Sequence, residues 1–172
     1  LLAYLLSSHG LHQRDSLALL LWPEYDQTSA RGALRRTLSV LKNGLPESFL
    51  QITREQIGIA SGASLWCDAL EFSSLVAETK QHEHSDETVC RECLGRLEKA
   101  AALYKGDYLS GFTLRDSPNF DEWQFFEAES HRQQLAWALD RLIDLQAGQG
   151  AFGEAIQYAR RLVHLDPLRE EA

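Results

Sequence analysis

The chain has 172 residues, of which 44% are hydrophobic and 24% are charged, and its formal net charge is −8. A chain of this length and composition can bury one core or two small ones. No apolar run approaches the roughly 20 residues that a bilayer-spanning helix requires, so we expect a cytoplasmic protein with no membrane partner.

The charges are distributed unevenly along the chain. Residues 1–60 hold six basic and five acidic residues, whereas the remainder holds eleven basic and twenty acidic ones. An acidic chain is ordinarily a poor ligand for nucleic acid, because contacts from Lys and Arg to phosphate supply most of the affinity. Here the acidic excess lies outside the first 60 residues. The asymmetry therefore predicts two modules, of which only the second is acidic.

Two short helices are predicted first. The apolar run over residues 1–8 predicts a helix that ends at His9-Gly10, since glycine is common just after a helix C-terminus. A second helix over residues 13–21 is closed by Trp22-Pro23, because proline cannot continue a helix. The chain starts inside an apolar pattern and without Met, so we expect further sequence upstream.

A long amphipathic helix is predicted over residues 29–45, with Thr28 or Ser29 as its N-cap. Its apolar residues fall on one stripe that must be buried, namely Ala30, Leu34, Leu38, Leu41 and Leu45. Its other faces carry four cations and no acidic residue, the cations being Arg31, Arg35, Arg36 and Lys42. This pattern is typical of a DNA recognition helix, although it also fits a solvated basic face on an ordinary helix.

Two short alternating runs, FLQIT and QIGIA, follow this helix and are joined by Arg54-Glu55. Such runs predict a β-hairpin. A hairpin directly after a recognition helix is the wing of a winged helix, and Arg54 at its tip is expected near the minor groove or a phosphate. The order of elements therefore predicts a helix-turn-helix followed by a wing.

The run ALLLWPEYDQTSARGALRRTLSVLKNGL resembles the DNA-binding segment of SARP-type bacterial transcriptional activators, an OmpR-type winged helix. In that family a Leu-Trp-Pro closes the second helix and an Ala-Arg opens the recognition helix, as at Leu21-Trp22-Pro23 and Ala30-Arg31 here. The resemblance implies that further strands lie upstream of the first helix. The candidate DNA-binding residues are Ser29, Arg31, Arg35, Arg36, Ser39, Lys42 and Arg54.

The second part of the chain is similar to the bacterial transcriptional activator domain of the same family. LWCDALEF resembles the Asp-x-x-x-Phe start of that domain, with Asp68 as a helix N-cap, and AALYKGDYLSG and FDEW resemble its two most recognisable strings. The closing segment, with Gly150, Phe152 and the later Asp166-Pro167-Leu168, resembles its final helical pair. The resemblance covers the whole chain.

Helical spacing in this part predicts stacked helices at about residues 68–81, 87–104 and 119–133. The leucines of residues 135–145, the break at residues 148–150 and the pattern of residues 152–165 predict a TPR-like pair. The predicted fold is mainly α. It comprises a winged helix-turn-helix domain over residues 1–62, with a small β-hairpin wing, and an all-α, TPR-like activator domain over residues 63–172. Such a unit needs neighbouring helices, so further sequence is expected beyond the last residue.

A metal site is the main chemical alternative. His82, His84, Cys90 and Cys93 offer four zinc ligands within twelve residues. However, both cysteines fall in a strongly helical stretch, whereas the usual Cys-x-x-Cys zinc motif lies in a turn. We therefore predict a solvated loop and no bound metal or other cofactor. The odd number of cysteines favours reduced thiols in a cytoplasmic protein over a disulfide framework.

The sequence offers no sign of an enzyme, since it has neither a glycine-framed nucleophile nor a phosphate-binding glycine-rich loop. The predicted function is activation of transcription through binding to promoter or operator DNA. RNA polymerase is the expected protein partner, and the helical module is a candidate surface for homodimerisation. The alternative is a protein-interaction module whose winged helix no longer binds DNA.

Overall fold

The computed structural model describes residues 1–82 and 90–165, within which the chain forms seven helices and three short strands. The first unit comprises Leu1–Trp66 and Gly111–Phe125, and the second unit comprises Cys67–Ser110 and Phe126–Ala172. The predicted boundary at residue 62 lies near the end of Leu1–Trp66. The assignment of Gly111–Phe125 to the first unit departs from the sequence prediction, which placed that segment in the second domain.

The first unit begins with short elements and contains one long helix. Its elements in chain order are α1 (Leu2–Ser7), β1 (Leu11–Gln13), α2 (Arg14–Leu21), α3 (Gln27–Gly44), β2 (Leu50–Ile52) and β3 (Gln56–Ile59). The second unit contains α4 (Asp68–Gln81), α5 (Arg91–Leu103) and α7 (Phe152–Leu165). The longest helix, α6 (Pro118–Gly148), belongs to the first unit as far as Phe125 and to the second unit beyond it. The mainly helical fold class is as predicted.

The predicted hairpin is confirmed, because β2 pairs antiparallel with β3 in a register that places Gln51 opposite Gly58. Strand β1 was not predicted. It pairs antiparallel with the other side of β3 and places Leu11 opposite Gly58, which completes a three-stranded sheet of order β1-β3-β2. Gly58 permits this close approach, since a Cβ atom there would lie 2.3 Å from the backbone oxygen of Gly10.

The core of the first unit forms between α3, the preceding helices and the sheet. The buried members of the predicted stripe are Ala30, Leu34 and Leu38, and they pack with side chains of α1, α2 and β3, including Leu5, Leu17 and Ile57. Leu41 and Leu45 are only half-buried, contrary to prediction. Leu45 is the C-cap of α3 and has an extended backbone, so the helical periodicity no longer applies to it.

A hydrogen bond and a ring contact join the segment Gly111–Phe125 to the rest of the first unit. The Ser117 hydroxyl donates a hydrogen bond of 2.7 Å to the backbone oxygen of Leu21, at the end of α2, and Ser117 is 3% exposed. The Trp123 ring packs edge-on against Tyr4 of α1, with 5.1 Å between the ring centroids, and the neighbouring Phe120 is buried. These contacts attach the segment to α1 and α2.

Helix α4 coincides with the predicted residues 68–81, although its N-cap is Cys67 and Asp68 is its first helical residue. Helix α6 is continuous where the sequence predicted two helices over residues 119–133 and 135–145. The predicted break follows it, and Gly150 adopts a φ of +75° that glycine tolerates best. Residues 87–89 of the helix predicted over residues 87–104, and the Asp166-Pro167-Leu168 string, lie outside the described residues.

The core of the second unit is built from apolar side chains of its four helices. Its fully buried members include Phe72, Val76, Leu97, Leu139, Leu142 and Leu162. The Arg161 guanidinium donates to the backbone oxygens of Ala101, at 2.7 Å, and Tyr104, at 2.6 Å. These bonds tie α7 to the end of α5. In the described part of the chain, no helix has the combined length and apolar character needed to cross a bilayer.

An ion pair links α6 to the loop after α5 in the second unit. Arg132 donates from Nε to Oδ1 of Asp107 at 2.8 Å and from Nη2 to Oδ2, and the Tyr104 hydroxyl donates to Oδ1 at 3.0 Å. These donors, Arg132 foremost, hold the pKa of Asp107 below its usual range. Burial, followed by the bond to Asp107, raises the pKa of Tyr104 to about 12.

Replacement of Asp107 by asparagine is expected to destabilise the chain at neutral pH. The side chains of Arg132 and Asp107 are 44% and 37% exposed, so solvent screening limits the loss to about 1 kcal/mol. Because the pKa of Asp107 is lower in the folded state, its contribution is complete above the unfolded-state pKa of about 4 and is lost as the pH falls through the folded-state pKa. Urea unfolding of both proteins at several pH values measures this. A difference in unfolding free energy between the two proteins that widened on acidification would contradict this expectation.

Candidate nucleic-acid interface

Helix α3 begins earlier than predicted because Asp26 caps it. The Asp26 carboxylate accepts hydrogen bonds from the backbone nitrogens of Thr28, at 2.9 Å, and Ser29, at 3.1 Å. The predicted N-caps, Thr28 and Ser29, therefore lie within the first turn. The Ser29 hydroxyl donates to Asp26 Oδ2 at 2.5 Å, and this bond is the largest cause of the lowered pKa of Asp26. The hydroxyl of Ser29, a candidate DNA-binding residue, is therefore already hydrogen-bonded to the N-cap of α3.

The other candidate residues of α3 all reach solvent. Arg31, Arg35, Arg36, Ser39 and Lys42 are exposed. Helical geometry places Arg31, Arg35 and Lys42 on the flank beside the buried stripe and Arg36 on the far side. Val40 is 71% exposed on the same surface. Because the helix carries no acidic residue, its solvent-facing surface is cationic along most of its 18 residues.

The preceding helix contributes an acidic residue that the sequence pattern did not reveal. Asp15 of α2 accepts two hydrogen bonds from Arg31, from Nε at 2.5 Å and from Nη2 at 2.6 Å. This pair lowers the pKa of Asp15 and raises that of Arg31. Arg31 therefore joins α3 to α2, and its positive charge is partly neutralised before any ligand binds.

A concave surface of about 470 Å³ brings three of the predicted residues together. Arg31, Arg35 and Arg54 line it, with Arg14 at the start of α2 as a fourth arginine, and the acidic residues Asp15 and Glu55 line it as well. Arg14 also donates from Nη1 to the backbone oxygen of Thr53 at 3.2 Å, which ties it to the hairpin. Sequence reasoning missed Arg14, because its place beside the hairpin follows from the unpredicted strand β1. Ser29, Arg36, Ser39 and Lys42 do not line this surface.

Comparison with known families identifies the second part of the chain. Residues 67–172 match the family described as "Bacterial transcriptional activator domain". The chain belongs to the bacterial transcriptional activator domain family. The activator domain begins at Cys67, immediately before α4, so the match does not include α3 or the sheet. A search of curated proteins found no match to this chain.

The activator domain contains all four residues considered for zinc, and the structure describes three of them. His82 lies at the end of α4, and Cys90 and Cys93 lie at the start of α5. The prediction of two cysteines within one helix is wrong for Cys90, which precedes α5 as its N-cap with an extended backbone. His84 lies outside the described residues.

Proposed function

We propose that the chain is a sequence-specific transcriptional activator that binds duplex DNA through α3. One observation carries this proposal: the solvent-facing surface of α3 holds Arg35, Arg36 and Lys42 with no acidic residue of its own, and Arg54 of the following hairpin lines the same concave surface as Arg35. Membership of the activator domain family supports a role in transcription. An exposed cationic helix after a helix-turn is the arrangement by which many transcription factors enter the major groove.

The exposed residues divide into two proposed roles. Arg35 shares the concave surface with Arg14 and Arg54, and these arginines from separate elements are proposed to contact phosphates of the DNA. Arg36, Ser39 and Lys42 lie outside this surface, on the remaining exposed part of α3, and are proposed to face the groove. Arginine and lysine there can donate to guanine, and the exposed Val40 can contact a thymine methyl group.

Arg31 and Ser29 take a supporting part in this proposal. Two of the donors of Arg31 are engaged by Asp15, so its remaining donors alone can reach a phosphate. Ser29 keeps Asp26 in its capping position and thereby fixes the start of α3. Both residues are therefore proposed to position the DNA-binding helix, and neither is proposed as a main source of positive charge toward the DNA.

The activator domain is proposed to contact the transcription machinery, with RNA polymerase as the partner, and it is the candidate surface for pairing with a second copy of the chain. This activity needs neither a cofactor nor an enzymatic step, and it places the protein in the bacterial cytoplasm without a membrane partner. The alternative, an interaction module that does not bind DNA, draws support from the neutralisation of Arg31 by Asp15.

Selection of duplexes from a random pool by the full chain tests this proposal. We expect enrichment of one sequence class, with a plot of log affinity against log salt concentration that has a slope of about −3 if three or four arginines meet phosphates. Enrichment of no sequence, or binding that is insensitive to salt, would contradict the proposal and favour the interaction module.

A further inference from the structure

Three zinc-ligand atoms of the activator domain lie close together in the structure. His82 Nδ1, Cys90 Sγ and Cys93 Sγ are all within 4.8 Å of one another. The Nδ1 atom of His82 is 3.0 Å from Cys93 Sγ and 3.6 Å from Cys90 Sγ. Two different elements supply these atoms, since His82 follows α4 and the cysteines belong to the start of α5. We propose that these three residues bind one Zn²⁺ ion.

The spacing of the ligand atoms suits a tetrahedral zinc ion. With Zn–N of about 2.0 Å and Zn–S of about 2.3 Å, two ligand atoms at a tetrahedral angle are about 3.6 Å apart. The separation of His82 Nδ1 from Cys90 Sγ already has this value. The separation from Cys93 Sγ must widen by roughly half an ångström, which a small rotation of the half-buried His82 ring provides.

The local backbone also suits metal binding. Cys90 has an extended backbone, with φ of −80° and ψ of 110°, and Cys93 lies in the first turn of α5. The Cys-x-x-Cys motif therefore spans the junction of loop and helix, as zinc motifs do, and the positive end of the helix dipole favours anionic thiolates there. Cys93 is 1% exposed whereas His82 and Cys90 are half-buried, so an ion can enter from the side of these two residues.

A carboxylate lies near the second ring nitrogen of His82. Glu92 Oε2 is 4.0 Å from His82 Nε2, the ring nitrogen that would not bind the metal. Zinc-bound histidines usually direct this second nitrogen to a carboxylate, which fixes the ring and strengthens the ligand. Glu92 also accepts a bond from Arg96 at 2.5 Å, which holds it on the same side of α5.

The chemistry of the ligands selects the metal. Two thiolates and one imidazole match zinc, and they are unsuited to magnesium or calcium, which prefer oxygen ligands. Three protein ligands leave a fourth position of the tetrahedral ion for a water molecule.

Metal titration of the full chain tests the proposal. The protein is stripped with a chelator, kept reduced, and titrated with Zn²⁺ in competition with a chromophoric chelator, and then with Co²⁺ to record its spectrum. We expect one ion per chain, with cobalt showing thiolate charge-transfer absorption and tetrahedral bands. Absence of stoichiometric zinc, or cobalt binding without thiolate absorption, would overturn the proposal.

Matched variants separate this site from unspecific binding by thiols. Cys90→Ser and His82→Ala each change a half-buried ligand and are expected to weaken zinc affinity by at least tenfold, and Glu92→Gln by about tenfold. Cys67→Ser is the control, since Cys67 is also half-buried and precedes a helix but lies outside the cluster. Circular dichroism verifies that each variant remains helical. Zinc affinity that is unchanged in Cys90→Ser, or lost equally in Cys67→Ser, would refute the site. Neither result bears on DNA binding.

Discussion

Replacing Arg35 by alanine is expected to weaken binding of a selected duplex by about tenfold and to reduce the slope of log affinity against log salt by about one. Arg35 is exposed on α3 and shares the concave surface with Arg14 and Arg54, where the proposal assigns it to a phosphate. Because every DNA sequence has the same phosphates, loss of a phosphate contact should weaken binding to all duplexes by a similar factor. Fluorescence anisotropy of the full chain with labelled duplex, over a salt series, measures both quantities.

A charge-matched control distinguishes a local contact from the general effect of net charge. Arg160→Ala removes the same charge from an exposed position on α7, in the activator domain, and is expected to leave DNA affinity almost unchanged. Equal losses in the two variants would show that overall charge governs binding. An unaltered affinity in Arg35→Ala would remove this residue from the interface.

Replacing Leu34 by alanine is expected to destabilise the first unit by about 2–5 kcal/mol. Leu34 is 1% exposed and packs between α3 and the core that includes Leu5, Leu17 and Ile57. Truncation of its side chain removes buried apolar area and leaves a cavity in the layer that holds α3 in place. Urea unfolding followed by circular dichroism measures the loss. DNA binding should fall with it, because the helix loses its support.

The comparison variant is Leu19→Ala on α2, where the leucine side chain is 61% exposed. This change removes the same atoms from a surface position, so it should alter the free energy of unfolding by no more than about 0.5 kcal/mol. Similar losses in both variants would mean that Leu34 does not carry the core role assigned to it. Arg35→Ala completes the set, since it should reduce DNA binding while leaving stability nearly unchanged.

Local patterns predicted the helices because each depends on residues that are close in sequence. Leucine spacing located the buried side of α3, and helix α4 matches the predicted residues. What the sequence did not reveal depends on contacts between distant residues. Strand β1 has three residues, too few for a periodic signal, and exists through its pairing with β3.

The candidate sites also divide into features that depend on residues close in sequence and features that depend on contacts between distant residues. Arg35, Arg36 and Lys42 were predicted because a helical projection places Arg35 and Lys42 beside the leucine stripe and Arg36 on the far side, and they are exposed as expected. The pairing of Arg31 with Asp15 joins two helices, so a helical projection of either helix alone cannot predict it. Likewise, the approach of His82 to Cys90 and Cys93 depends on how the end of α4 meets the start of α5, which spacing along the chain does not specify.

The hydrogen bond from Ser117 to Leu21 determines where the protein can be divided. A chain that stopped at Trp66 would include α1 to β3 but would lack Ser117 and Trp123, which contact Leu21 of α2 and Tyr4 of α1. Conversely, a fragment that began at the family boundary, Cys67, would separate Ser117 from Leu21 and Trp123 from Tyr4. Gene fusions and deletion series should therefore keep both segments of the first unit on one polypeptide.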